Sequence, residues 1–158
     1  MNTHIEQSIV DGLALQRAAY HKNPVPNYAD RIRDLTRLGD FLRENKDAIC
    51  EAVNLDFGNR SVHETILSEI LPTLNEINHV KKHLKTWMKP QRRGVDLKTF
   101  IGAKNRVIPQ PLGVVGVIVP WNFPVFLSLG PLVSIFAAGN RAMVKMSENS
   151  RHLTQLMQ

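Results

Sequence analysis

"GVVGVIVPWNFPVFLSLGPLVSIFAAGNRAMVKMS", residues 113–147, decides the fold of this chain. Most of it lies in a run of 34 residues between Arg106 and Arg141 that contains no Asp, Glu, Lys or Arg. "GVVGVIV" is a continuous apolar run of strand length, as expected of a strand covered on both faces. "VFLSLGPLVSIFAAGN" is apolar nearly all round and predicts a buried helix ending at Gly139. "RAMVKMS" predicts another short buried strand, and "ENSRHLTQLMQ" opens a further helix. Strand, turn, buried helix, strand, helix is the rhythm of a parallel α/β sheet. Two central strands leave much apolar surface uncovered, so the chain reads as a piece of a larger fold.

The same run is long enough to cross a bilayer, and its composition argues against that. Pro111, Pro120, Pro124 and Pro131, with the glycines among them, cut it into pieces of about ten residues, whereas a spanning helix needs about 20. Asn122 would also be costly in hydrocarbon without a partner. No membrane span is expected.

Upstream, the pattern is helical. "DGLALQRAAYHKNPVP" predicts a short helix and then a break at Pro24 and Pro26. "NYADRIRDLTRLGDFLRENKDAICEAVNLDFGN" predicts one long helix with Ile32, Leu35, Leu38, Leu42, Ile49 and Val53 on one face, capped by Asn27 and ended by Gly58. A second long helix starts at "SVHETILSEI", where Ser61 and Glu64 match a capping box. Its stripe runs through Ile66, Ile70, Leu74, Ile77, Leu84 and Trp87. Pro72 is expected to kink or restart it, and Pro90 to stop it. Between residues 92 and 119, "GVDLKTF", "NRVIPQP" and "GVVGVIV" are β-rich and punctuated by Gly and Pro.

Composition narrows the function classes. The chain has 158 residues, 43% of them hydrophobic and 22% charged, which is enough apolar content for one ordinary core. Its formal charge of +6 permits anionic partners, but the basic residues are scattered. The tightest group is Lys81, Lys82, Lys85, Lys89, Arg92 and Arg93, around a helix end where cations complement the dipole. No nucleic-acid partner is expected. Cys50 is the single cysteine, which excludes an internal disulfide and a cysteine-based metal site. It reads as a small buried hydrophobe. Of the six histidines (4, 21, 63, 79, 83 and 152), His79 and His83 stand one helical turn apart, but no third ligand stands at metal spacing. No metal is expected. The N-terminus lacks a basic segment followed by a long apolar stretch, so a cytoplasmic, reducing location is expected.

Two small constellations point to chemistry. "PWNFP", residues 120–124, places an amide between two prolines in an otherwise apolar run. Such an Asn either satisfies backbone groups of its turn or offers a fixed neutral donor. Lys145 and Glu148 follow a strand, where an open α/β sheet binds ligands. Taken by themselves they read as a solvated Lys at a strand end and a Glu at a helix start that suits the dipole.

"PLGVVGVIVPWNFPVFLSLGPLVSIFAAGNRAMVKMSE" resembles the start of the coenzyme-binding domain of aldehyde dehydrogenases. The upstream "LDFGNRSVHETILSEILPTLNEINHVKKHLKTWMKP" is similar to the short, class 3-like branch of that superfamily. "KMSENS" looks most like coniferyl-aldehyde dehydrogenase relatives. The resemblance covers the chain from about residue 15 to its end. It implies an α/β chain in three parts: N-terminal helices over 1–91, a β-rich connecting or oligomerisation-type segment over 92–110, and the incomplete start of a Rossmann-like NAD(P)-binding domain over 111–158.

The resemblance also implies roles. Asn122 would stabilise the oxyanion formed when a thiolate attacks an aldehyde, with Pro120 and Trp121 holding and walling the cofactor-side pocket. Lys145 and Glu148 would contact the adenine-side ribose of NAD or NADP, and the negative charge of Glu148 slightly favours NAD. The family's glycine-rich turn, catalytic cysteine segment and water-activating glutamate have no counterpart in this sequence. The chain is therefore expected to be inactive alone, as the N-terminal portion of an enzyme that oxidises an aldehyde, aromatic or long-chain, to its acid. A homodimer is expected of the complete enzyme. The alternative is a non-catalytic remnant that scaffolds by pairing with intact subunits.

Overall fold

The computed structural model describes residues 3–96 and 98–158, and the side chains of residues 3–5 lie outside the description with residues 1, 2 and 97. His4 and the Leu97 of "GVDLKTF" fall there. Among the described residues, seven α-helical segments, one π segment and four short strands follow in order. They are α1 (Thr3–Lys22), α2 (Tyr28–Glu44), α3 (Lys46–Phe57), α4 (Val62–Thr65), the π segment (Ile66–Ile70), α5 (Leu71–Trp87), β1 (Gln91–Arg93), β2 (Asn105–Val107), β3 (Val114–Ile118), α6 (Pro124–Ala137), β4 (Arg141–Lys145) and α7 (Arg151–Leu156).

The helical half differs from expectation in four places. The first helix begins well before Asp11, at Thr3. The single helix expected from Asn27 to Gly58 is two, α2 and α3. Asn45 separates them by placing its backbone N–H and its side-chain amide on the Phe41 carbonyl, at 3.0 and 2.9 Å. Asn27 caps α2 as expected, its Oδ1 accepting from the Asp30 N–H at 3.0 Å, and Gly58 ends α3 in the left-handed region at φ 78°. Ser61 stands at the start of α4, but its side chain makes no capping bond. Its carbonyl takes the Thr65 N–H, and Glu64 turns to Arg60 instead, 3.3 Å away. At Pro72 the helix does restart, α5 beginning at Leu71 with the proline in its first turn, but the join is a π segment that the sequence did not announce. The π segment one turn earlier widens the helix, with the Leu71 N–H reaching back five residues to Ile66, and the missing Pro72 N–H is absorbed there.

Leu35, Leu42, Ile49, Ile70, Ile77, Val125 and Val133 are fully buried in one apolar cluster shared by α2, α3, the π segment, α5 and α6. α6 therefore belongs to the helical core as much as to the sheet. Its apolar circumference is buried over most of its extent, while Pro131 and Ser134 mark a stripe that faces solvent.

β3 and β4 pair in parallel, with Val114 opposite Arg141 and Ile118 opposite Lys145. Gly139 turns the chain from α6 into β4 at φ 82°. The strands were expected to be buried and are not: neither contains a fully buried residue, and Ile118 is 84% exposed. α6 packs on the pair, α1 touches both strands, and neither strand has a second neighbour among the described residues. β1 and β2 form an antiparallel hairpin whose residues are exposed. The described part of "GVDLKTF" is irregular chain and turn, not strand, and it lies in the connection between them. Among the described residues no helix is long and apolar enough to cross a membrane.

Candidate functional site

The carboxyl ends of β3 and β4 emerge side by side, tied by the Val119 N–H to the Lys145 carbonyl at 2.9 Å. Both sequence constellations therefore arise at one edge of the sheet, where open α/β sheets bind ligands. From β3 the chain runs through Pro120, Trp121, Asn122 and Phe123 into Pro124, the first residue of α6, where proline's fixed φ suits a helix start. Pro120, Trp121 and Asn122 are exposed. Trp121 leans on Phe57 at the end of α3, with ring centroids 6.1 Å apart. Asn122 is held by its backbone: Arg60 Nη1 donates to its carbonyl at 2.9 Å.

Arg60 is part of a buried assembly beneath this turn. Its guanidinium lies over the rings of Phe57 and Phe123, 4.6 and 4.9 Å from their centroids. Nη2 approaches Glu69 Oε1 at 3.3 Å. The other carboxylate oxygen, Glu69 Oε2, accepts the Val125 and Phe126 N–H groups at 2.7 and 3.0 Å. A carboxylate from the π segment thus caps the first turn of α6, where two donors have no partner inside the helix and the dipole favours negative charge. Glu69 is completely buried. Burial raises its pKa, opposed by the Phe126 N–H, the Arg60 charge and the Val125 N–H.

Sequence reasoning passed over Arg60 and Glu69. The signal present was a glutamate next to Ile70 on the apolar stripe, three residues before a proline. A charge there is buried only if it has a partner.

At the end of β4, Lys145 and Glu148 form a long pair, Nζ to Oε1 3.9 Å, with both side chains exposed. They border an open cleft of about 480 Å³ whose lining includes Ser147, Arg151 and Thr154. α7 behind it is anchored from the helical half. The Asp56 carboxylate, 2% exposed, accepts from the His152 N–H at 2.8 Å and the Leu153 N–H at 3.0 Å, and meets His152 Nδ1 at 2.9 Å. A larger cavity of about 520 Å³ lies at the opposite edge of the sheet, against Gly139, Asn140 and Arg141. It is remote from the strand ends that carry the candidate chemistry.

The remaining candidates have structural roles. Cys50 is buried on α3. Burial, helped by Asp47, pushes its thiol pKa up, the reverse of an activated nucleophile. His79 and His83 do share a face, their rings 4.5 Å apart, and both rings lie near Trp87. Among the described residues no group of three His, Cys, Asp or Glu stands where it would hold a metal ion.

Chemically, the edge presents a carboxamide on a braced turn beside an ammonium–carboxylate pair. The amide is suited to donating to an oxygen that gains charge. The pair is suited to vicinal hydroxyls, one partner donating and the other accepting.

A family model described as "Aldehyde dehydrogenase family" matches residues 13–158. The chain is 52% identical over 137 residues to a probable coniferyl aldehyde dehydrogenase of Pseudomonas aeruginosa, covering 87% of the chain and 29% of that protein. It is 43% identical over 143 residues to a coniferyl aldehyde dehydrogenase of a Pseudomonas species, covering 90% of the chain and 29% of that protein. A solved substrate-bound structure of Staphylococcus aureus AldH superposes with a TM-score of 0.86 at 29% identity, over 99% of the chain and 33% of that structure. The chain thus spans about a third or less of the length of these relatives.

Proposed function

Since the chain belongs to the aldehyde dehydrogenase family, we propose that it is the N-terminal portion of an NAD(P)-dependent enzyme that oxidises an aldehyde to its carboxylic acid. Coniferyl aldehyde or a similar aromatic aldehyde is the proposed substrate, by similarity to the two Pseudomonas proteins. The observation that carries this reading is the braced exposed turn at Asn122, set beside the Lys145–Glu148 pair at the carboxyl edge of the sheet. Residues 1–91, 92–110 and 111–158 are the proposed helical, connecting and coenzyme-binding parts.

In this reading the Asn122 side-chain amide donates to the aldehyde oxygen as a nucleophile adds to the carbonyl carbon. The donor is neutral and pre-positioned, so it stabilises the growing oxyanion without reorganising. Pro120 and Pro124 stiffen the turn, and Trp121 walls the pocket on the Phe57 side. Glu148 accepts from the hydroxyls of the adenine-side ribose and Lys145 donates to them. A dinucleotide, when bound, supplies the hydride acceptor. The carboxylate of Glu148 disfavours a 2′-phosphate, which makes NAD the proposed preference. The nucleophile and the water-activating carboxylate come from elsewhere in the complete enzyme, so this chain alone reduces no NAD. A cytoplasmic location and a homodimer of complete subunits complete the proposal, and the exposed hairpin of β1 and β2 supports the second.

The test has two steps. The intact mass of the native product from its source cells is measured first, and a mass well above 17.9 kDa is expected. That product is then assayed with coniferyl aldehyde and NAD or NADP. Asn122→Ala is expected to lower kcat by about 10²–10³, and Lys145→Ala and Glu148→Ala to raise the KM for the dinucleotide. A native mass of 17.9 kDa with no turnover overturns the proposal and favours the scaffold alternative.

A further inference from the structure

We propose that Arg60 and Glu69 are positioning residues that fix the direction in which Asn122 presents its side-chain amide. This rests on the oxyanion reading of Asn122. One guanidinium reaches two segments: Nη1 holds the Asn122 carbonyl at 2.9 Å, while Nη2 faces Glu69 Oε1 at 3.3 Å. The same carboxylate, through Oε2, holds the N–H groups of Val125 and Phe126. The chain on both sides of Phe123 and Pro124 is thus tied to one buried pair. The guanidinium also lies over the rings of both Phe57 and Phe123. With the peptide of Asn122 pinned on one side and the helix start pinned on the other, the Cα–Cβ direction of Asn122 has little freedom left.

Stability alone does not account for this arrangement. Arg60 Nε, Arg60 Nη2 and Glu69 Oε1 are buried without a hydrogen-bond partner. Such groups are costly, and a buried ion pair is commonly no more stabilising than apolar residues of the same volume. Capping α6 requires only Glu69, yet Arg60 is spent on the Asn122 carbonyl, which is no part of the cap. What the pair adds is a fixed geometry at Asn122.

The test uses the 158-residue chain, isotopically labelled, and reads the side-chain NH₂ signals of Asn122 by NMR. Arg60→Met is expected to move or split these signals by more than their linewidth. Amide exchange at Val125 and Phe126 should stay within about three-fold, because Glu69 still caps them. Arg60→Lys, which keeps the charge but lacks the fork, should restore the signals only in part. Glu69→Gln, which keeps an acceptor for the two N–H groups but removes the ion pair, should move the Asn122 signals in the same way. Unchanged Asn122 signals in a folded Arg60→Met or Glu69→Gln chain overturn the proposal. Unfolding of both variants also overturns it, since the pair would then serve stability alone. Failure of the oxyanion reading is seen separately: Asn122→Ala would then leave turnover of the complete enzyme intact, whatever these spectra show.

Discussion

Glu69 is a fully buried carboxylate that holds two backbone donors and faces one buried cation. Glu69→Ala uncaps α6 and leaves Arg60 with the half-exposed Glu64 as its remaining carboxylate, so a loss of about 3 kcal/mol is expected in urea unfolding of the chain. The pH dependence has a definite sign. Burial raises the pKa of Glu69 above its ordinary value of 4.5, so the folded chain binds more protons than the unfolded one just above that pH. Stability should then fall as pH rises from 4.5 through the folded-state pKa, and level off beyond it. Glu76 adds in the same direction, its pKa also raised by burial. Urea midpoints measured across this range should show the decline in the native chain and a shallower one in Glu69→Gln. Gly139 is a second sensitive residue. Its φ is 82°, and an added Cβ would lie 2.9 Å from Arg31 Cζ, which would push Arg31 off the Ala137 carbonyl it holds at 2.9 Å. Gly139→Ala is expected to cost about 2 kcal/mol or more, read in the same unfolding experiment.

At the scale of elements, α6 and α7 both begin on a carboxylate supplied by another helix. Asp56→Ala removes the acceptor for the His152 and Leu153 N–H groups. It should cost about 1–2 kcal/mol and raise hydrogen exchange at those two amides more than at Val125 and Phe126. These caps also explain what sequence reading reached and what it missed. Strand β3, helix α6 and strand β4 were legible because their apolar runs and the turn residues Pro120, Pro124 and Gly139 are local signals. Asn122, Lys145 and Glu148 were legible as candidates because motif and strand end coincide. Arg60, Glu69 and Asp56 were not, because each acts on a segment 56 to 97 residues away and none forms a local motif. The break at Asn45 was missed because the apolar spacing continues through it, while the decision lies in one amide turning back to Phe41. The π segment was missed for a related reason: Pro72 signals trouble with a hydrogen bond and does not say how the helix resolves it.

The whole molecule divides into a region held by one apolar cluster and a hairpin held mainly by its own pairing. A lone two-stranded hairpin is marginal in water. Limited trypsin digestion of the native chain should therefore cut first between Arg92 and Arg106, while residues 27–90 survive as one fragment. Early cleavage inside α5 would contradict this view of the architecture. The order of the parts along the chain has a further consequence, which concerns time. Asp56 and Glu69 precede in sequence the helices they cap. On a ribosome the helical half emerges first and can collapse while Pro124 and Arg151 are still unsynthesised. The costly first turn of α6 then forms against a carboxylate already in place, and α7 follows in the same way. Assembly of this chain is thereby biased to run from its N-terminus, with the turn at Asn122 closing only after its anchors have been laid.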